Sequence, residues 1–231
     1  MIILTDLSEV LIRGVIGADQ YIKERYGVKV AESCVLRHRA INERFCDMLR
    51  GRLTEDQYWE TFFSGHSWPF GVEEAKAALS WNLAQAIPDT LKVYQEIIAY
   101  PRSNEDKRLG MAEGMPTIYL VSDHITERLD QIKALHPGIF KVVKREFWSC
   151  ELGQIKRDPG FFENLLEKEH LRPEEVIFID DNVANIATAS RLGVPGIRFQ
   201  NATQLRTVLR ETYGFVFAGD AEREAAARKH Y

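Results

Sequence analysis

The chain has 231 residues, 45% of them hydrophobic, enough to bury one sizeable core and support a smaller accessory domain. Its 30 Lys and Arg against 34 Asp and Glu give a formal charge of −4, and the basic residues are scattered, which argues against nucleic acid as a partner. Cys34, Cys46 and Cys150 form no CxxC pair, so disulfides and structural zinc are not expected and a reducing cytoplasm is the simplest setting; no stretch approaches the roughly 20 apolar residues of a membrane span.

In chain order, an apolar run at 2–4 leads straight into Asp6 and reads as a first strand. Residues 16–87 then read as helix after helix, over 18–26, 35–49, 54–63 and 72–86. Thr54 with Gln57 has the spacing of a capping box, and Gly27, Gly51 and Gly65 fall where helices should stop. By their helical spacing Tyr58, Trp59, Phe62, Phe63, Trp68, Phe70 and Trp81 belong mostly to the core of this block. Residues 101–114 are polar and read as a surface loop.

Short apolar runs then alternate with helical periods, the pattern of a parallel sheet covered by helices. Strands are expected at 117–121, 146–149, 176–179 and 196–199, and helices at 126–135, 159–170, 185–192 and 203–213. Asp158 before Pro159 reads as a helix start and Gly193 as a helix stop, while 221–231 suits a solvated helix or frayed end. The expected fold class is thus α/β: a five-stranded parallel core of residues 1–15 and 88–231, flanked by helices, with an all-helical cap domain of residues 16–87 inserted after the first strand.

Open α/β sheets bind ligands beyond the carboxyl ends of their strands. The residues delivered there are Asp6, Ser122-Asp123, Lys156 and Asp180-Asp181. An aspartate can attack phosphorus and form an acyl phosphate, but its charge repels the incoming dianion. A divalent metal and a fixed ammonium offset that repulsion. Magnesium, which prefers oxygen, would be held by Asp6 and Asp181 with a backbone carbonyl such as that of Ser8, while Lys156 and the Ser122 hydroxyl would hold phosphate oxygens. Adjacent acids at the end of an apolar strand, as in Asp180-Asp181, repel one another unless a cation is present.

The ordered set of a strand ending in Asp6, Leu-Val-Ser122, Ser149-Cys-Glu-Leu-Gly-Gln-Ile-Lys156-Arg-Asp158-Pro159 and Val-Ile-Phe-Ile-Asp180-Asp181-Asn-Val-Ala-Asn185 resembles the four motifs of the haloacid dehalogenase superfamily. Within it the chain is most similar to the subfamily whose helical cap follows the first motif. The resemblance implies a Rossmann-like core and a Mg2+-dependent hydrolase of a small phosphorylated or anionic substrate. Asp6 would be nucleophile and metal ligand, Asp180 and Asp181 the metal acids, with Ser8 contributing its carbonyl. Ser122, Asp123 and Lys156 would make the phosphate contacts, Lys156 also serving catalysis.

One departure stands out. Phosphatases of this kind carry an acid two residues after the nucleophile, where this chain has Ser8, and general acid–base help is typically worth ~100 to 10,000-fold. Glu9 replaces the usual glycine, and an extended backbone would point its side chain away from the site; His124 is the other acid–base group near it. Weak or altered activity follows. The alternatives are a dehalogenase or phosphonate-cleaving relative, the latter needing a cap lysine (Lys23, Lys29 or Lys76), and a catalytically impaired descendant that binds a phosphate ligand or a protein partner. Cys150, with no histidine beside it, reads as a packing residue.

Overall fold

The computed structural model describes residues 1–14, 24–27, 39–64, 70–99 and 116–217. Five parallel strands, β1 (Ile2–Thr5), β2 (Thr117–Ser122), β3 (Val143–Trp148), β4 (Val176–Asp180) and β5 (Gly196–Arg198), form one sheet in the order β3-β2-β1-β4-β5. The chain runs outward from β1 to β3, then crosses back to β4 and β5 on the other side of β1. That reversal opens a crevice at the carboxyl ends of β1 and β4, where ligands of such sheets bind. Thr5 is in register with Leu120 of β2 and Ile179 of β4, so the residue after it, Asp6, emerges between two neighbouring strand ends.

The side chains of β1 alternate between two apolar layers, as the two-residue period of a strand requires. Leu4 joins Val121 and Phe178 against Phe161, Phe162 and Leu165 of α8 (Phe161–Lys168). Ile3 faces the opposite layer, with Ile118, Ile177 and Ile179 and the helices α4 (Pro88–Ala99) and α10 (Ala202–Tyr213). Both faces of the strand that carries Asp6 are therefore buried, which leaves the Asp6 backbone little freedom to shift.

Between β1 and β2 the described residues include α1 (Arg39–Leu49), α2 (Glu55–Phe63) and α3 (Val72–Leu83) and no strand. Thr54 and Gln57 form the expected reciprocal capping box on α2. Tyr58, Phe62 and Phe70 are buried as expected, whereas Trp81 is 43% exposed and Trp68 lies outside the described residues, as do Gly65 and the 101–114 and 221–231 segments. Gly51 takes φ +69 at the end of α1, and a Cβ there would come within 2.4 Å of the Cys150 carbonyl oxygen, so glycine is needed both for the turn and for the close approach.

The insert is tied to the core beside the second and third motifs. Arg128, just after β2, donates to Glu55 at 2.8 and 2.7 Å and to Ser80 at 2.7 Å. Arg50 grips Asp158 with two bonds of 2.7 and 2.5 Å, and Ser149 Oγ donates to the Leu49 carbonyl at 2.6 Å. Asp158 is thus not the cap of the next helix. Gly160, at φ +82, holds that place, because the Asp158 carboxylate is taken by Arg50 and by the Ile155 N–H.

Other differences are local. α5 (Leu129–Leu135) is entered through a 3-10 turn at Thr126–Arg128, and β3 starts at Val143, earlier than its apolar end suggests. Helices that the sequence pattern did not single out are α4, α6 (Pro137–Val142) and the single turn α7 (Ser149–Leu152); α9 (Val183–Ser190) begins slightly before its expected start. No helix among the described residues is long and apolar enough to cross a membrane.

Candidate active site

Asp6 sits at the switch point with its N–H donating to the Ile179 carbonyl at 2.9 Å, one step beyond the paired residues of β1. Its Oδ1 accepts the Leu7 N–H at 2.7 Å and its Oδ2 lies 2.8 Å from Lys156 Nζ. Lys156 reaches the same point from the loop after α7 and also donates to Asp180 Oδ2 at 2.6 Å, so one buried ammonium bridges the ends of β1 and β4. Asp180 is completely buried, its oxygens receiving the Asn182 N–H at 2.7 Å and the Asn185 Nδ2 at 3.2 and 3.1 Å. Asp181, half-buried, completes a group in which carboxylate oxygens of Asp6, Asp180 and Asp181 all lie within 4.8 Å of one another.

The charges are unbalanced. Burial pushes the Asp6 carboxyl well above the usual carboxylate range; Lys156 works against that shift and Asp180 adds to it. Asp123 and Asp181 are raised for the same first reason, burial. Burial alone would favour a neutral Lys156, but Asp180, Asp6 and Asp123 outweigh it and hold the ammonium above the ordinary lysine range. Four carboxyl groups around one ammonium form a site that a divalent cation would neutralise.

The remaining candidates divide. Ser122 Oγ is buried at the end of β2 with no hydrogen-bond partner among the described residues, so its hydroxyl proton is unused there. Asp123 turns its carboxylate to the Lys156 N–H at 2.9 Å, so it braces the lysine loop and only its backbone amide is suited to an anion. Ser8 packs its buried Oγ toward Gly14, where an added Cβ would come within 2.9 Å of Ser8 Cβ.

Neither stand-in for the missing acid is well placed. Glu9 is not extended: its φ of +59 folds the carboxylate back onto the Gly14 N–H at 2.8 Å and Arg13 at 2.9 Å. That left-handed turn costs a non-glycine residue about 1–2 kcal/mol, which explains why glycine suits the position. His124 is fully buried, accepts the Ile125 N–H on Nδ1 at 3.0 Å, and has its pKa pushed down to about 4 by that burial. A neutral ring whose Nδ1 accepts keeps its one proton on Nε2, and without the imidazolium form it is no general acid near neutrality. Burial likewise raises the Cys150 thiol, in keeping with a packing role.

A family model for haloacid dehalogenase-like hydrolases matches residues 1–193. The chain belongs to the haloacid dehalogenase-like hydrolase family. Among curated proteins, flavin mononucleotide hydrolase 1 of Arabidopsis thaliana is 37% identical over 59 residues, covering 26% of this chain and 24% of that protein. Bifunctional epoxide hydrolase 2 of Mus musculus is 32% identical over 69 residues, 30% of this chain and 12% of that one. The match thus spans a quarter or less of either relative.

Solved structures share the fold of this family member at low identity. A family enzyme from Bacteroides thetaiotaomicron, in complex with magnesium and inorganic phosphate, aligns with a TM-score of 0.59 and 17% identity over 87% of this chain and 94% of that one. The L-2-haloacid dehalogenase of Xanthobacter autotrophicus, with chloropropionic acid covalently bound, aligns with a TM-score of 0.57 and 15% identity over 92% and 83%. Within the hydrolase fold of this chain, Asn185 is a site residue that sequence reasoning quoted without a role. Its signal is position: in the first turn of α9, five residues past Asp180, its Nδ2 reaches back to that carboxylate.

Proposed function

We propose that the protein is a Mg2+-dependent phosphatase-type hydrolase of a small phosphorylated metabolite, with Asp6 as nucleophile and a chemistry slowed by Ser8. The carrying observation is the cluster of Asp6, Asp180 and Asp181 within 4.8 Å, crossed by the Lys156 ammonium and lying at the strand ends that also deliver the orphan Ser122 hydroxyl. This donor set fits a hard divalent ion. Asp6, Asp181 and Asp180, with the Ser8 carbonyl, would hold it, Asp180 also receiving Lys156. When bound, magnesium supplies charge that offsets the repulsion between the Asp6 carboxylate and a phosphate dianion.

The chain's own residues do the rest. The Ser122 hydroxyl, the Asp123 amide and Lys156 hold the non-bridging phosphate oxygens. An Asp6 oxygen attacks phosphorus as the P–O bond to the leaving alcohol breaks, giving an aspartyl phosphate; water then cleaves that acyl phosphate and restores the carboxylate. Ser8 can neither protonate the leaving oxygen nor deprotonate the water, so both steps run slowly. In this reading residues 16–87 act as a cap domain over the site.

A dehalogenase gains little support, since it needs no cluster of metal acids. A Schiff-base phosphonate enzyme is also disfavoured at Lys76, whose ammonium is held above its ordinary range by its hydrogen bond to Asp56; Lys23 and Lys29 lie outside the described residues. The test uses p-nitrophenyl phosphate, whose leaving group needs little protonation. Slow turnover that requires magnesium and vanishes in Asp6→Asn supports the proposal. Inert wild type and inert Ser8→Asp, with magnesium bound, would replace it with a non-catalytic phosphate binder; metal-independent action on a haloacid would make the protein a dehalogenase.

A further inference from the structure

Behind the nucleophile strand lies a pair of hydroxyls that the chemistry above does not use. Thr5 and Tyr94 are both completely buried, and their oxygens lie 2.6 Å apart. Their neighbours along chain and helix, Leu4, Val93 and Ile97, are buried apolar residues. Thr5 Oγ1 also lies 2.9 Å from the Asp6 carbonyl oxygen. A carbonyl can only accept, so the Thr5 proton goes to Asp6, and Tyr94 must be the donor to Thr5. The result is a directed chain from the Tyr94 hydroxyl through the Thr5 hydroxyl to the Asp6 carbonyl.

That carbonyl belongs to the same planar peptide unit as the Leu7 N–H, which donates to Asp6 Oδ1 at 2.7 Å. On its other side, Asp6 is anchored by its own N–H to the Ile179 carbonyl at 2.9 Å. Rotation of the Asp6–Leu7 peptide would swing the Leu7 N–H away from the carboxylate. The hydroxyl chain opposes that rotation. We propose that Thr5 and Tyr94 are positioning residues that fix the Asp6 carboxylate by gripping the Asp6–Leu7 peptide from the core side.

Simple core filling does not account for the pair. Valine and phenylalanine would occupy nearly the same volume at these positions and bring no polar atom that needs a partner. Burial also pushes the Tyr94 phenol above its ordinary range, so it remains a donor at any working pH. Hydrogen bonds in series polarise one another, which strengthens the last link to the Asp6 carbonyl.

The catalytic consequence rests on Asp6 being the nucleophile, so the experiment carries one readout that needs no activity. Wild type, Thr5→Val, Thr5→Ser, Tyr94→Phe and the Thr5→Val/Tyr94→Phe double variant are compared by p-nitrophenyl phosphate turnover with magnesium. Hydrogen exchange of the Leu7 amide is measured beside it, with the Leu4 amide of β1 as internal reference. Losing one neutral hydrogen bond to the peptide should lower kcat about tenfold in Thr5→Val with KM within about twofold, and about threefold in Tyr94→Phe. Leu7 protection should fall relative to Leu4, and Thr5→Ser should retain both properties. The double variant removes the Tyr94–Thr5 link from both sides and leaves only the Asp6 carbonyl without its donor, so it should melt no lower than Thr5→Val and keep the Thr5→Val defects.

A double variant with wild-type kcat and wild-type Leu7 protection overturns the proposal. Equal loss of protection at Leu4 and Leu7 also overturns it, because that marks general loosening. If neither wild type nor Ser8→Asp turns over the substrate, the phosphatase reading fails, and the Leu7-to-Leu4 ratio alone upholds or overturns the positioning role.

Discussion

The two halves of the first motif differ in how they are built. Asp6 is fixed from every side: Ile179 holds its N–H, Thr5 its carbonyl, and Leu7 and Lys156 its two carboxylate oxygens. Two residues later Ser8 contributes no titratable group, and Glu9 spends its carboxylate on Gly14 and Arg13 within its own turn. Under the proposed function, the groups that hold charge are therefore in place around Asp6, while Ser8 and Glu9 supply no group for moving a proton. Binding and proton transfer are separable properties of this site, and substitutions on either side should show it.

The largest effect is expected on the charge-holding side. Asp6→Asn should abolish p-nitrophenyl phosphate turnover while leaving the fold intact, since the side-chain volume is unchanged and the amide oxygen keeps one of the two contacts, to Leu7 or to Lys156; circular dichroism and a steady-state assay decide. Lys156→Met should be next. It leaves Asp6, Asp123 and Asp180 without their shared counter-charge, and breaking a buried pair from one side costs about 3–5 kcal/mol. Urea unfolding without metal should show that loss, and magnesium should restore part of it by binding only the folded chain.

On the proton-moving side, Ser8→Asp should raise turnover, by at least about tenfold and toward the ~100-fold lower bound of general acid–base help. Gly14 leaves the space beside Ser8 that a longer side chain needs, so adding Gly14→Ala should cancel part of the gain. Substrates with poor leaving groups should benefit most. A Ser8→Asp enzyme equal to wild type on every leaving group would mean that the turn, and not the absent acid, limits the reaction.

The smallest effect concerns the fastening of the insert. The Arg50 hydrogen bonds, helped by the Ile155 N–H and then by the Arg50 charge, hold the Asp158 carboxyl below the usual carboxylate range against the opposing effect of burial. A lowered folded pKa adds stability above the ordinary carboxylate value of about 3.9 and loses it as pH falls through the lowered one. With both side chains partly exposed, Asp158→Asn should cost about 1 kcal/mol at pH 7, and the difference from wild type should vanish in acid. A difference independent of pH would show that packing, not charge, joins α1 to the third-motif loop.

How much of this was legible depended on whether the cause was local. The five strands could be read because apolar runs end at Asp6, Ser122, Asp180 and their equivalents, and the converging acids, hydroxyl and lysine followed from strand order. β3 was seen late because its first residues, such as Lys144 and Arg145, are exposed. Helix α4 buries Thr90, Val93, Tyr94 and Ile97 at helical spacing, but its mixed polarity hid that face. Asp158 misled because its partner, Arg50, lies 108 residues away and outcompetes local capping. His124 and Glu9 were open for a like reason: burial and a left-handed turn decide what they do, and neither is written in residue type.

The central claim is that Asp6 takes the phosphoryl group and that Ser8 makes its release slow. The direct measurement is intact-mass and peptide-mass analysis of protein acid-quenched during p-nitrophenyl phosphate turnover with magnesium. The account predicts that one phosphoryl group accumulates, that it maps to the peptide containing Asp6, and that it falls to a trace in Ser8→Asp, where the restored base speeds hydrolysis. A phosphoryl adduct that persists in Asp6→Asn, or turnover with no adduct on wild type, would contradict it.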